Sequence, residues 1–309
     1  MAKATQVTDS AHPLIFGEVL YDCFPDGSQV LGGAPFNVAW HLQGFGLAPL
    51  LLSRVGTDAV GDKVITQMHA WGMDTSLMQH DKEHATGIVT ITMQGTQHSF
   101  EIKPDQAYDH IDQTQAAAAL REKQISLLYH GSLAMRGIIS RQTLHWLRNK
   151  LNTTPLFIDI NLRAPFWQAD AVRGIIQHAA WVKLNEDELQ ALSANNANDN
   201  YAAQQFAKQH NINHLLLTRG ADGALLVDGD ALHESPAAPV ANLVDTVGAG
   251  DAFTAVMLYG LARTWPLPRT LCHASEFAAA ICTQRGAINH DQSFYDNFIK
   301  RWEDLSHRY

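Results

Sequence analysis

Apolar residues along the chain come in short runs separated by stretches with helical spacing. The runs Leu14–Val19, Leu50–Val55, Ile125–His130, Leu156–Ile160, Trp181–Leu184 and Leu215–Thr218 are rich in leucine or β-branched residues and are followed by polar or glycine residues. That pattern predicts strands. Val38–Gln43, Val60–Trp71, Gln113–Lys123 and Arg141–Lys150 read as helices between them, and Ala249–Arg263, Arg269–Gln284 and Gln292–Trp302 make the last third helical. A strand-then-helix rhythm predicts a mostly parallel sheet covered by helices on both faces. The rhythm breaks twice. Tyr21–Gly33 holds the turn signal Phe24-Pro25-Asp26-Gly27, which belongs between extended segments. Thr86–Ile102 alternates on both sides of Gln94-Gly95, the pattern of a β-hairpin. These two excursions form either a lid over a ligand or edge hairpins without a function. Ala191–Asn200, rich in Asn and Ala, reads as a surface loop. Without an internal repeat or a dividing linker, 1–309 reads as a single α/β domain.

Composition narrows the class. With 46% hydrophobic and 17% charged residues, the chain has material for a large core and too little charge for disorder. A formal net charge of −9 disfavours a nucleic-acid partner. The three cysteines are far apart and form no CxxC, so a reducing compartment is expected. The opening MAKATQVTDSAH lacks an apolar signal-peptide core, and no apolar run reaches the roughly 18 residues of a membrane span. The expectation is a soluble cytoplasmic protein with no membrane partner. The 16 histidines are scattered without a metal-site spacing such as HExxH, and His41, His69, His130 and His273 read as helix-face or strand-end residues.

The stretch richest in chemistry is Asp245-Thr246-Val247-Gly248-Ala249-Gly250-Asp251-Ala252-Phe253. Small residues lead into an apolar helix, whose free first-turn N–H groups and dipole favour an anion such as phosphate. The amides of Gly248, Ala249 and Gly250 would then stabilise charge on a moving phosphoryl group, while Asp251 takes the proton of an attacking hydroxyl. The alternative makes Asp251 a helix-capping acid and the glycines a tight turn. A second stretch, Gly32-Gly33-Ala34-Pro35-Phe36-Asn37, can bring backbone against a ligand, and Asn37 offers a donor and an acceptor to a sugar hydroxyl. The GxxxxGK[ST] of P-loop enzymes is absent, as are the HRD and DFG motifs of protein kinases and a GxGxxG after the first strand.

Together the two stretches resemble the two signatures of the ribokinase-like (PfkB) carbohydrate kinase family. The first is carried by Gly32, Gly33, Asn37, Ala39, Gly46 and Gly56, the second by Asp245 to Asp251, and the resemblance runs from about Leu14 to Phe294. The family usually has Ala or Gly where this chain has Val256, which would crowd helix packing. The resemblance implies a ribokinase-like three-layer sandwich with a small β lid, built here from about 20–33 and 86–104. It implies ATP-dependent phosphorylation of a sugar, with Asp251 as base and Gly248–Gly250 as anion hole. Asp22 would bind sugar hydroxyls, its alternative being a turn residue. Asn185 and Glu188, in an NxxE motif, would organise phosphate and Mg²⁺ through water, or simply start a helix. Thr218, Arg219, Gly220, Gly223 and Ala279 would lie on the ATP side. Backbone carbonyls of Asp245, Thr246 and 285–287 would hold a monovalent cation, usually K⁺.

Gly17–Pro25 and the Asp159–Trp167 block, with Arg163 as a fixed donor to phosphate or a carboxylate, are similar to fructokinase-type sugar kinases. The second block is shared with 2-keto-3-deoxygluconate kinases, so fructose ranks first, another neutral furanose second and a sugar acid, helped by Lys103, third. A non-catalytic sugar- or nucleotide-sensing protein on the same fold is the rival class. Lids of this family often pair, so a homodimer is a further expectation.

Overall fold

A computed structural model describes residues 11–94, 97–177, 179–193, 197 and 199–306. Its strands are β1 (His12–Phe16), β2 (Leu20–Cys23), β3 (Gln29–Gly32), β4 (Leu50–Gly56), β5 (Met78–Asp81), β6 (Gly87–Gln94), β7 (Gln97–Ile102), β8 (Ile125–His130), β9 (Leu156–Asp159), β10 (Trp181–Asn185), β11 (His214–Thr218), β12 (Ala224–Asp228) and β13 (Ala231–Ser235). The main sheet runs β13-β12-β11-β10-β9-β8-β1-β4-β5. It is parallel from β11 to β5, and β12 and β13 add an antiparallel edge.

Successive side chains of a strand point to opposite faces, and here they enter different cores. Ile15, Trp181 and Leu216 pack into one cluster with the helices Ala34–Gly44, Ala249–Ala262, Leu267–Ile281 and Gln292–Ser306. Leu14 and Phe16 enter a second cluster, and Val182, Leu184, Leu215 and Leu217 a third, on the other face. The result is an α/β sandwich with helices on both sides of the sheet. The chain winds from β1 towards β5 in one direction and from β8 towards β13 in the other. The crevice outside the carboxyl ends of strands at such a reversal is where α/β folds bind ligands.

The two irregular stretches form a separate sheet ordered β3-β2-β6-β7. β2 pairs antiparallel with β3 and parallel with β6, and β6 pairs antiparallel with β7. The Phe24–Gly27 turn closes through Gly27 N–H to Phe24 O at 3.0 Å; Gly95 lies outside the described residues. The expected strand Leu14–Val19 stops at Phe16, because Gly17 turns the chain towards the small sheet. The loop expected at Ala191–Asn200 has its ends inside helices Glu186–Leu192 and Asn200–Gln209, and part of it lies outside the described residues. β5, β12 and β13 were not anticipated. Val256 is fully buried in the helix Ala249–Ala262. That helix makes a tight approach to its neighbour at Gly260, where a Cβ would lie 2.3 Å from Thr270.

Candidate active site

The carboxyl edge of the sheet collects the residues that the sequence singled out. Gly17-Glu18 follows β1, Asp159 ends β9 with Ile160 to Arg163 after it, Asn185 ends β10 and Thr218 ends β11. Opposite them starts the helix Ala249–Ala262, which carries Asp251 in its first turn.

Gly248 caps that helix in the left-handed region, with φ 79°. A Cβ there would be strained by the backbone and would lie 2.2 Å from the Cβ of Ala287. Gly248→Ala must therefore displace the loop and the helix start together. At least a tenfold loss of kcat is expected of it, with a lowered melting temperature. Wild-type turnover in a steady-state assay would contradict this. The Ala249 amide points back to Thr246 O at 3.3 Å, which removes it from the expected anion-binding set in this conformation. Among the described residues, no protein acceptor meets the N–H groups of Gly248, Gly250 or Asp251.

Asn37 donates from Nδ2 to Asp251 Oδ2 at 2.8 Å, and among the described residues no protein donor meets Oδ1. Burial raises the Asp251 pKa to about 6; the Asn37 hydrogen bond opposes this, the charge of Asp159 adds to it, and Lys183 and Arg163 oppose it. A carboxylate with this affinity and a free oxygen can accept a proton near neutral pH.

Lys183 and Asp159 form a cross-strand pair directly opposite each other in β10 and β9. Lys183 Nζ lies 3.0 and 2.8 Å from the two Asp159 oxygens, and Thr254 Oγ donates to Oδ2 at 2.9 Å. Both partners are buried. Burial alone would lower the Lys183 pKa, but Asp159 more than offsets this and the ammonium stays charged. A Cβ on Gly250 would lie 3.3 Å from Nζ, so this fixed positive charge stands beside the helix start.

Glu18, 3% exposed, was not singled out from sequence. Its Oε2 has no partner. Burial pushes its pKa to about 7, against its own backbone N–H and Arg163. Asn37 Oδ1 and Tyr129 OH are likewise buried without partners, and both Glu18 and Tyr129 feel the charge of Asp251. Buried polar atoms are almost always hydrogen-bonded to protein or ordered water, so these atoms, unpartnered among the described residues, are available to water or a polar ligand. An acid in the otherwise apolar Leu14–Leu20 stretch was the available signal.

Asp22 is raised to about 6 by burial, opposed by Arg163 and reinforced by Asp245. A Cβ on Gly32 would lie 3.6 Å from Asp22 Oδ2 and 3.8 Å from Asn37 Oδ1, so the bare glycine leaves the space between them open. Gly33 (φ 107°) packs on protein instead, since its Cβ would meet Glu18 O at 2.7 Å. Arg163 is exposed and faces Glu18, Asp22 and Asp251 electrostatically.

On the far side, Asn185 and Glu188 form a capping box: Asn185 Oδ1 accepts Glu188 N–H, and Glu188 Oε2 accepts Asn185 N–H, both at 2.9 Å. Glu188 Oε1 takes Leu162 N–H at 2.7 Å, which ties this helix to the Asp159–Arg163 segment. The guanidinium of Arg219 is engaged by Asn200 and Glu234, leaving only its backbone, with Thr218 and Gly220, for a ligand. Gly223 supports the turn, where a Cβ would lie 2.1 Å from Ser235 O. Ala279 is half-buried on the helix Leu267–Ile281. The Asp245 carboxylate accepts from Val247 N–H at 3.0 Å and Gly286 N–H at 3.2 Å, which joins the two stretches expected to cradle a cation.

The pfkB family carbohydrate kinase profile matches residues 16–293. A fructokinase of Escherichia coli is 30% identical over 302 residues, covering 90% of this chain and 95% of that protein. The structure of a fructokinase from Xylella fastidiosa with bound ATP superposes with a TM-score of 0.83 at 23% identity, over 94% of this chain and 99% of that one. A fructokinase from Vibrio cholerae O395, in fructose, ADP and calcium ion bound form, gives 0.79 at 24% identity, over 93% and 98%.

Proposed function

Because the chain belongs to the pfkB family of carbohydrate kinases, we propose that it transfers the γ-phosphoryl group of ATP to a hydroxyl of fructose or a related ketose. The whole chain acts as one ribokinase-like unit, with the small sheet as a lid over the sugar. One observation carries the mechanism: Asp251 keeps Oδ1 free while Asn37 orients the other oxygen, beside amides without protein acceptors. Asp251 takes the proton of the acceptor hydroxyl. The amides of Gly248, Gly250 and Asp251 and the Lys183 ammonium receive the charge that develops on the phosphoryl oxygens, which is the main work in phosphoryl transfer. Closure of the lid excludes water, the competing acceptor.

The orphaned atoms of Glu18, Asn37 and Tyr129, with Asp22, supply hydrogen bonds for a polyol. Charge supports a neutral sugar over a sugar acid. Three acids, Glu18, Asp22 and Asp251, act on the exposed guanidinium of Arg163, while Arg136, which also acts on Glu18, is paired with Asp109 and keeps Nη1 without a partner among the described residues. An anionic substrate would add repulsion here.

ATP brings Mg²⁺, which neutralises phosphate charge. Glu188 already accepts two backbone N–H groups, so it would meet the ion only through water, together with Asn185. Backbone carbonyls of Asp245, Thr246 and 285–287 are the candidates for K⁺, since the Asp245–Gly286 tie brings these segments together. No helix among the described residues is long and apolar enough to cross a membrane, and the cysteines are free. Both facts suit a cytoplasmic enzyme with small-molecule partners.

An ADP-release screen over ketoses, pentoses, nucleosides and sugar acids tests the assignment. Fructose is expected to give the highest kcat/KM. A preference for a sugar acid would overturn the substrate, and ATP left intact with every sugar would favour the sensing protein.

A further inference from the structure

A second cluster of chemical groups lies where the small sheet joins the body. His84 sits between β5 and β6, in the connection entering the small sheet, and Asp105 and His110 follow β7, in the connection leaving it. His110 Nε2 lies 2.7 Å from Asp105 Oδ1, and His84 Nε2 lies 3.7 Å from the same oxygen. The two imidazoles stack, with centroids 3.5 Å apart and planes 14° from parallel. One atom from each of the three residues falls within 4.8 Å of the others.

Both ring nitrogens of His84 face carboxylates. A neutral imidazole has one donor and one acceptor. His84 Nδ1 lies 3.1 Å from Asp81 Oδ2, and Asp81 is itself fixed by Arg54 at 2.7 Å and by the N–H groups of Glu83 and His84 at 2.8 and 2.9 Å. With its proton directed to Asp81, His84 Nε2 presents a lone pair to the Asp105 carboxylate. In that tautomer two acceptors face each other 3.7 Å apart, and either a second proton on the ring or a bound cation satisfies both. A carboxylate behind a histidine that turns its other nitrogen to a metal is the usual outer support of such ligands. Two imidazoles and one carboxylate suit zinc and similar ions. An adjoining cavity of about 390 Å³, lined by Arg54, His80, Lys82 and Glu83 among others, leaves room for water as a further ligand.

We propose that His84, Asp105 and His110 bind one divalent transition-metal ion of the zinc type, which fastens together the two connections of the small sheet. Metal–nitrogen bonds of about 2.0–2.1 Å require the rings to leave their stack, because two nearly parallel imidazoles cannot both aim an in-plane lone pair at one ion. None of the three residues is buried in a core, so this movement disturbs little packing. An ion bridging residue 84 to residues 105 and 110 restricts the small sheet at its base, away from the phosphoryl-transfer groups.

The test uses the full chain, stripped with chelator and free of nucleotide, titrated with Co²⁺ as a coloured substitute for zinc. One Co²⁺ per chain with visible d–d absorption is expected. His84→Ala and His110→Ala should each weaken binding about 100-fold or more, and Asp81→Asn about 10–100-fold, the range for losing an orienting partner. Far-UV circular dichroism checks the fold of each variant; His84→Gln and His110→Gln replace any that fails. Wild type without these bands at millimolar Co²⁺, or folded variants of both histidines that bind as wild type does, would overturn the proposal. Because no sugar or ATP is present, the result is independent of the kinase assignment.

Discussion

Replacing Asp251 by Asn is expected to lower kcat roughly 10²–10⁴-fold, the range for loss of a general base, with little change in KM for the sugar. The substitution keeps the shape of the side chain and an oxygen for Asn37, but removes the site that accepts the proton. Steady-state kinetics with saturating ATP give the answer, and a variant within a few fold of wild type would refute the role of Asp251. The pH dependence supplies a second check. Asp251 must be ionised to act and binds its proton up to about pH 6, so kcat/KM should climb between pH 5 and 7. Stability has the opposite sign. Glu18, Asp22 and Asp251 hold protons in the fold up to about 7, 6 and 6, whereas the unfolded chain releases them near their ordinary values of 4.5, 3.8 and 3.8. The folded state binds more protons across that window, so these groups make the ligand-free protein less stable as pH rises from about 4 to 7.

Lys183→Met is expected to cost roughly 3–5 kcal/mol of stability, because it leaves Asp159 charged, buried and unpaired. Removing both charges with Lys183→Met and Asp159→Leu should recover most of that loss, since two apolar groups tolerate the site better than one lone ion. Urea unfolding of the single and double variants measures the difference. Activity should separate from stability. The double variant lacks the ammonium beside Gly250 and is expected to stay at least tenfold down in kcat. A double variant that regains both would make the pair purely structural, and a single variant as stable as wild type would dissolve the pairing argument.

Much of this arrangement was legible in the chain, for reasons that differ by element. The parallel strands β1, β4, β8, β9, β10 and β11 are apolar runs that burial on both faces demands. β12 has the same composition, but β13 is mostly polar and exposed, and the Gly229-Asp230 turn that pairs them antiparallel went unread. The loop before Asp251 was legible because glycine and acid are required there by local geometry. Which amides stay free was not, because the turn of Ala249 towards Thr246 depends on the folded loop. Asp159 stood at the head of a quoted block and Lys183 inside an expected strand, yet their pairing is a matter of strand register and is invisible until β9 lies beside β10. Arg219 read as a nucleotide contact, and tertiary packing gave its side chain to Asn200 and Glu234. His84, Asp105 and His110 have no short spacing to betray them, since they meet only when the small sheet's two connections lie side by side.

The hydrogen bond from Asn37 to Asp251 joins residues 214 positions apart. Under the proposed mechanism neither end of the polypeptide can build the reaction centre without the other, so a nascent chain would be inert until its closing helices have docked. Turnover therefore reports native assembly of the whole molecule, and regain of activity on refolding should lag the recovery of helical signal. Two fragments severed between these positions would be silent alone and become active only by reassociating.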